Sequence, residues 1–302
     1  SVKVKKLNAI AFMVLSSNPE KTKAYSQKAL ELTSGIEKGQ VKPGMSLSSR
    51  AFPYYHIGWY YLNRGELADA LTNILQALDL FERDHNNNRV ALCYNSMGSI
   101  FKEQENYDES ERYYKEALSR VQTPASEDFR AVVNLNYGGL LVALLRFEEA
   151  RQLFLDTKTI YEKKKVKSGW GVVYNNLGVC AKEMKDPDLA IEYFQKALEA
   201  YEQENNQSSA AFALNSLAHV YQKQNQFDKA MVYYDLSLKK SRQVGHKATI
   251  SRTYGNLAEL HLAMAKSVNN MGLKDSLYSL AIEDHLTSEL YADSINNQDN
   301  SR

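Results

Sequence analysis

The side chains in this sequence that are best suited to recognition chemistry are asparagines that return at related positions along the chain. They are Asn95, Asn136, Asn175, Asn176, Asn215 and Asn256. A carboxamide both donates and accepts hydrogen bonds, so a row of amides can satisfy the backbone of an extended peptide whatever its sequence. Asparagine is also a mediocre helix former, so the alternative is that each amide bonds a neighbouring helix or turn. The sequence leaves both interpretations open.

No residue pattern typical of catalysis accompanies these amides. The HExxH and GxSxG motifs are absent, and so is a phosphate-binding glycine loop. Acidic pairs such as Glu148 and Glu149 fall in polar turns and indicate solvated faces. His261 takes a position that is aromatic in other parts of the chain, which favours packing over metal ligation. We therefore predict no enzymatic activity, no metal site and no cofactor.

Composition excludes further classes of function. The 302 residues carry 37 Lys and Arg against 36 Asp and Glu, so no basic excess supports nucleic-acid binding. Cys93 and Cys180 lie in apolar helical patterns and are expected to be buried. No apolar run approaches the roughly 20 residues of a membrane span. Lys3, Lys5 and Lys6 before Leu7 mimic a signal peptide, but we expect an ordinary first helix in a chain trimmed before Ser1.

The strongest pattern is a small residue that returns every 40 positions. Its members are Gly58, Gly98, Gly138, Gly178, Ala218 and Ala258. A second small residue follows twelve positions later, at Ala70, Ser110, Ala150, Ala190 and Ala230. Two helices approach closely only where side chains are small, so the pattern predicts paired antiparallel helices that meet at these residues. A single pair cannot bury its apolar face alone, and neighbouring pairs must stack.

The repeat register predicts the organisation of the chain. We expect one solenoid over residues 1–302, with a capping helix pair at 1–34, five regular repeats at 51–250 and a divergent repeat at 251–295. A longer loop, Gly35 to Ser49, precedes the regular repeats. The second helix of the last repeat is expected at Ser276 to Ser294, and residues 296–302 form a frayed tail.

The order of residue types within each unit resembles the tetratricopeptide repeat. Tyr174, Leu177, Gly178, Ala190 and Phe194 carry the likeness in one unit, and equivalent residues carry it along nearly the whole chain. The period is longer than the commonest form of about 34 residues, which leaves room for about one extra turn in each helix. The resemblance implies an all-α, right-handed superhelical solenoid of antiparallel helix pairs that binds proteins or peptides.

In that family the first helices of the repeats line a concave groove. The positions expected to face it here are Tyr55, His56, Trp59, Asn95, Asn136, Asn175, Asn176, Asn215, His219 and Asn256. The resemblance therefore implies a groove that binds a protein or an extended peptide through an asparagine series. His56 and Trp59 are either an aromatic anchor for the ligand or a contact against the long first loop. The rival hypotheses are a structural scaffold that self-associates through its end repeats and a small-molecule sensor with a site in the groove.

A narrower resemblance concerns three short motifs, Asn18-Pro19-Glu20, Lys274-Asp275-Ser276 and Ala292-Asp293-Ser294. They are similar to the sensor regions of Bacteroidetes-type signalling proteins, in which such repeats precede a membrane helix and a kinase or DNA-binding domain. That likeness implies the sensing part of a histidine kinase or transcriptional regulator, in the periplasm. The cytoplasm is the alternative compartment.

Overall fold

The computed structural model describes residues 2–15, 17–34 and 46–299, and this part of the chain is all α-helical with no strand. It divides into two compact units, Ser1–Arg146 and Phe147–Arg302. The helices of the first unit are α1 (Val2–Met13), α2 (Pro19–Ser34), α3 (Leu47–Asn63), α4 (Leu67–Arg83), α5 (Asn87–Glu103), α6 (Tyr107–Arg120) and α7 (Glu127–Ala143). Those of the second are α8 (Phe147–Lys164), α9 (Trp170–Glu183), α10 (Pro187–Gln203), α11 (Gln207–Lys223), α12 (Phe227–Gln243), α13 (Lys247–Ser267) and α14 (Met271–Asp299). The prediction of an all-α repeat fold is confirmed, whereas one continuous superhelix over 1–302 stays a prediction.

The small residues of the repeat lie where paired helices meet. A Cβ atom added to Gly178 of α9 would lie 2.7 Å from Cδ1 of Phe194 in α10, and one added to Gly98 of α5 would lie 2.8 Å from Cδ1 of Tyr114 in α6. Both rings are fully buried. These separations are shorter than any van der Waals contact, so glycine is required for the ring to lie flat against the first helix.

The same turn geometry recurs between the two helices of successive pairs. One residue per turn has a positive φ, and these residues are spaced by 40: Gly65, Glu105, Leu145, Lys185 and Asn225. The residue after each of them donates its backbone N–H to a carbonyl five positions earlier, as Asn106 does to Phe101 and Asp186 does to Ala181. This is the hydrogen bond of a Schellman ending, which requires a left-handed residue. Four of these turns therefore hold a non-glycine residue in a conformation that L side chains rarely adopt.

Polar side chains then start the following helices. Asn106, Asp186 and Asn206 each accept a hydrogen bond from the backbone N–H three residues later. An N-cap of this kind satisfies a donor that the helix itself leaves free. These inter-helix turns are thus built from a left-handed helix ending followed by an N-cap.

The ends of the chain differ from the sequence-based boundaries. Helix α14 runs from Met271 to Asp299, whereas we predicted a helix from Ser276 to Ser294 and a frayed tail from residue 296. No glycine or proline follows Gly272, so nothing in the sequence stops the helix. Helix α3 begins at Leu47, where the Ser46 hydroxyl caps it, rather than near residue 51. Residues 35–45 of the predicted first loop lie outside the described residues.

We expect Gly178→Ala to destabilise the protein by about 1–3 kcal/mol, because the new methyl group must displace the buried Phe194 ring. Gly255→Ala is the matched control, since its Cβ would meet only the Ser288 hydroxyl at 3.4 Å. That variant should be unchanged or stabilised by up to about 1 kcal/mol, because alanine favours helices. Urea unfolding followed by circular dichroism measures both. Equal free energies of unfolding for the two variants would contradict the packing argument.

We expect acid to weaken the contact between α6 and α7 that Glu111 makes. Burial alone would raise the pKa of Glu111, but hydrogen bonds from Lys115, Tyr137 and Arg146 outweigh it and lower the pKa to about 2. Since this value lies below the ordinary 4.5, the carboxylate stabilises the fold above pH 4.5, and the contribution is lost as pH falls toward 2. Thermal melts across this range should show a smaller loss for Glu111→Gln than for the native protein. Asp79→Asn, which breaks an exposed ion pair with Arg83, should melt like the native protein throughout.

Candidate functional site

Two asparagine pairs link the first helices of neighbouring repeats. The Asn136 amide of α7 donates to Oδ1 of Asn95 in α5 at 3.0 Å, and the Asn256 amide of α13 donates to Oδ1 of Asn215 in α11 at 3.1 Å. Asn95 and Asn215 are buried, with exposed fractions of 1% and 3%. The amide oxygens of these two residues therefore bond the next repeat, which is the alternative that the sequence left open. A role for either residue in contacting a partner stays a prediction.

The asparagine series changes character between α9 and α11. Asn175 has a buried Oδ1 atom without a hydrogen-bond partner. Ser216 stands in α11 at the position that Asn136 and Asn256 occupy in their repeats, and its hydroxyl donates to the carbonyl of Phe212 instead. Asn176 of α9 is half-buried, and its amide makes no side-chain hydrogen bond within the described part of the chain. Asn176 is thus the member of the series whose amide remains available.

The aromatic residues near the start of the first regular repeat are mostly buried. The Trp59 indole donates to the Tyr55 hydroxyl at 3.0 Å, and burial raises the pKa of Tyr55 to about 12. His56 has an exposed fraction of 1%, and burial lowers its pKa to about 4. The imidazole is therefore neutral near physiological pH. Trp59, which is half-buried, is the one of these three that offers surface to a partner.

His219 lies half-buried on α11 among side chains of both charges. Burial lowers its pKa, and the nearby Lys182 and Lys223 lower it further. Lys182 pairs with Glu183 at 2.8 Å, and Lys223 lies 3.9 Å from Glu259. These acidic neighbours compensate the lysines, so the first-helix face of the second unit is mixed in charge. Such a face suits a polar peptide backbone better than a polyanion.

A cavity of about 390 Å³ opens in the first unit beside His56, and a larger one of about 720 Å³ opens between α13 and α14. Asn256 lines the larger cavity together with Leu262, Ile282 and Leu286. This cavity was not predicted from the sequence, because the apolar side of α14 was not recognised there. The available signal was the spacing of Ile282, Leu286 and Leu290, which places three apolar residues on one side of a helix.

The described residues contain no group of three or more His, Cys, Asp or Glu that could hold a metal ion. Cys93 and Cys180 are buried free thiols, and burial raises the pKa of Cys180 to about 12. Thiols in this environment are protonated and pack as small apolar groups. Over the described range no helix is long and apolar enough to cross a membrane.

The sequence of this chain matches models of a known protein family. Two models described as tetratricopeptide repeat match residues 49–123, 129–203 and 213–244, which is more than half of the chain. The chain belongs to the tetratricopeptide-repeat family. Members of this family are generally non-catalytic protein-interaction modules. The segments of this chain that match the family models carry most of the asparagine series.

Individual proteins with tetratricopeptide repeats are also similar to this chain. The type IV pilus assembly protein PilF of Pseudomonas aeruginosa is 30% identical over 185 residues, which is 61% of this chain and 64% of that protein, so the match spans less than two thirds of the relative. A Rap protein complexed with competence and sporulation factor has a TM-score of 0.62 at 16% identity, covering 97% of this chain and 96% of that one. A STAND protein with a tetratricopeptide repeat sensor from Pyrococcus horikoshii has a TM-score of 0.67 at 13% identity, covering 99% and 47%. At these identities the two structures show the fold alone.

We expect the buried amide pair of the second unit to be a structural contact. Asn215→Ala should destabilise the protein by about 1–3 kcal/mol, because the Asn256 amide then loses the oxygen that accepts its hydrogen bond. Asn176→Ala is the matched control, since Asn176 occupies in α9 the position that Asn256 occupies in α13 but bonds no other described side chain. This variant should change the free energy of unfolding by less than about 0.5 kcal/mol. Urea unfolding of the two variants, and of Asn256→Ala with the double variant Asn215→Ala/Asn256→Ala, gives the coupling energy. A coupling of zero would exclude the pair as a stabilising contact.

Proposed function

We propose that this chain is a non-catalytic module that binds an extended peptide segment of a protein partner on the first-helix face of its second unit, formed by α9, α11 and α13. The observation that carries the proposal is the cavity of about 720 Å³ at the α13 end of this face. The partner is expected to place one large apolar side chain in that cavity and to lay its backbone across the half-buried polar residues of the neighbouring helices.

The lining of the cavity has the composition of a protein-binding surface. Leu262, Ile282 and Leu286 keep 40%, 62% and 58% of their surface exposed, which is unusual for large apolar residues that lie together. Arg252 and Glu259 stand at the same cavity and supply a polar rim. An apolar centre with a polar rim is typical of the places where one side chain of a partner contributes much of the binding energy.

The polar residues of the neighbouring helices α9 and α11 suit the backbone of the same ligand. Three neighbouring helices at typical packing distances span about 20 Å, which an extended segment of about six residues covers. Asn176 lies on α9 with an amide that bonds no other side chain, and it can both donate to and accept from a peptide group. Asn175 and His219 each keep a buried polar atom without a partner nearby on α9 and α11. We infer that these side chains reorient toward the ligand backbone when it binds.

The similar proteins support this class of function without identifying the partner. PilF is named as an assembly protein, and the Rap structure is named as a complex with competence and sporulation factor. By the same reasoning we propose that the chain is the interaction or sensing part of a larger signalling protein. The three short motifs at the chain ends support that role and favour the periplasm over the cytoplasm.

Self-association is the second candidate function, and one observation favours it. Helix α14 leaves Ile282, Leu286 and Leu290 exposed along one side, with 62%, 58% and 68% of their surface accessible. An apolar stripe of this kind could pair with its copy on a second chain. Sedimentation of the native protein distinguishes the candidates, because a scaffold would be dimeric in the absence of any ligand.

We expect Leu286→Glu to weaken peptide binding at least about tenfold, because an apolar side chain that enters the cavity must then desolvate the new carboxylate. The ligand would be selected from a displayed library of random peptides against the native chain, and affinities measured by fluorescence anisotropy. Val232→Glu is the matched control, since Val232 is 57% exposed on α12 of the same unit and lines neither cavity. That variant should keep its affinity within about twofold. Selected peptides without a large apolar residue, or equal losses in both variants, would contradict the proposed site.

A further inference from the structure

The cavity of about 390 Å³ in the first unit lies among α1, the first half of α3 and the first turn of α5. Its volume is in the range of small-molecule pockets, which begin at about 300 Å³. Phe12 and Phe52 form aromatic walls, and the ring of His56 stands 6.3 Å and 6.0 Å from the centres of those two rings. The cavity is thus a separate site from the face of the second unit to which we assign peptide binding.

The charged side chains that line this cavity are both positive. They are Lys5 and Arg89, and no carboxylate of the described residues lines the cavity with them. The Asp84 carboxylate nearby is taken by the backbone N–H and the hydroxyl of Ser48. Arg89 lies over the Phe52 ring at 4.9 Å and forms no ion pair with any described residue. A guanidinium without an anion, held in a partly buried aromatic setting, is preorganised for a carboxylate.

Two further lining residues have buried polar atoms without partners. Pro53 has no N–H, so the Ser49 carbonyl in the preceding turn lacks its usual helix partner, and the Asn8 amide nitrogen donates to that carbonyl at 2.9 Å. This bond fixes the orientation of the Asn8 amide, whose Oδ1 atom is buried and unpaired. Nδ1 of His56 is also buried and unpaired. Buried polar atoms of this kind cost free energy unless a ligand or water satisfies them.

We propose that this cavity binds a small carboxylic acid that carries a hydroxyl or amino group next to its carboxylate and an apolar, preferably aromatic, body. Arg89 and Lys5 bind the carboxylate. The Asn8 amide oxygen and the neutral His56 ring accept the neighbouring hydroxyl or ammonium hydrogens. Phe12 and Phe52 contact the apolar body. The class therefore comprises aromatic 2-hydroxy acids and amino acids, whose three groups match the three kinds of lining side chain.

The test uses the full chain and four named probes: L-3-phenyllactate, L-phenylalanine, 3-phenylpropionate and methyl phenyllactate. Isothermal titration calorimetry should show that phenyllactate or phenylalanine binds, that 3-phenylpropionate, which lacks the donor, binds at least about fivefold more weakly, and that the uncharged ester does not bind at millimolar concentration. The two donor-bearing probes distinguish a hydroxy acid from an amino acid as the preferred ligand.

Variants assign the binding to this cavity. Arg89→Gln should weaken binding at least about tenfold. Arg120→Gln is the matched control, because Arg120 of the first unit also lies over an aromatic ring, 5.7 Å from the centre of the Tyr94 ring, but does not line the cavity. This variant should bind within about twofold of the native protein. Lys5→Gln serves if Arg89→Gln fails to fold, since Lys5 is exposed and its loss should weaken binding about threefold. The proposal is overturned if no probe binds at about 5 mM, or if the cavity variants bind as tightly as Arg120→Gln.

Discussion

The fold depends on the close contact between paired helices at a residue with a very small side chain or none. At Gly58, Gly98 and Gly178 a side chain or ring from the second helix occupies the space that a Cβ atom would fill. The partners Ile74, Tyr114 and Phe194 are fully buried, so the contact brings a large apolar group into the space between paired helices. Because these three repeats solve the packing problem in the same way, the remaining positions on their first helices are free to differ. This freedom allows the asparagines, histidines and aromatic residues of the first helices to differ from repeat to repeat.

The same asparagine series has two physical roles because neighbouring repeats differ by one side chain. Where Asn follows Asn in the next repeat, as in Asn95 and Asn136, the amides bond each other and hold the repeats together. Where serine follows, as at Ser216, the short hydroxyl bonds its own helix and the amide of the preceding repeat stays unpaired. A polar row on a repeat protein is therefore a mixture of structural pairs and available groups. The second unit carries the available ones on α9 and an apolar cavity between α13 and α14, and this arrangement is the basis of the proposed peptide site.

The first unit shows how one residue can connect two segments that are far apart in the sequence. Pro53 interrupts the hydrogen-bond ladder of α3, and Asn8 of α1 occupies the freed carbonyl. The first capping helix is thereby attached to the first regular repeat, with Phe12 and His56 beside the contact. The cavity beside this contact is lined by two cations and, among the described residues, by no carboxylate. Its lining differs from that of the cavity between α13 and α14, so the two sites that we propose differ in the chemistry of their ligands.

The 40-residue periodicity of small side chains by itself determined the helical repeat class, the pairing of helices and the positions of Gly98 and Gly178 at helix contacts. These features follow from local periodicity and side-chain size, which are properties of the sequence. The left-handed residues such as Glu105 and Lys185 had no comparable signal, because the turn imposes that conformation on residues that do not favour it. The pairing of Asn95 with Asn136, the bond from Asn8 to Ser49 and the cavity along α14 also escaped sequence analysis. Each of them depends on which atoms of distant segments come within hydrogen-bonding or van der Waals distance, and only the packed tertiary structure decides that.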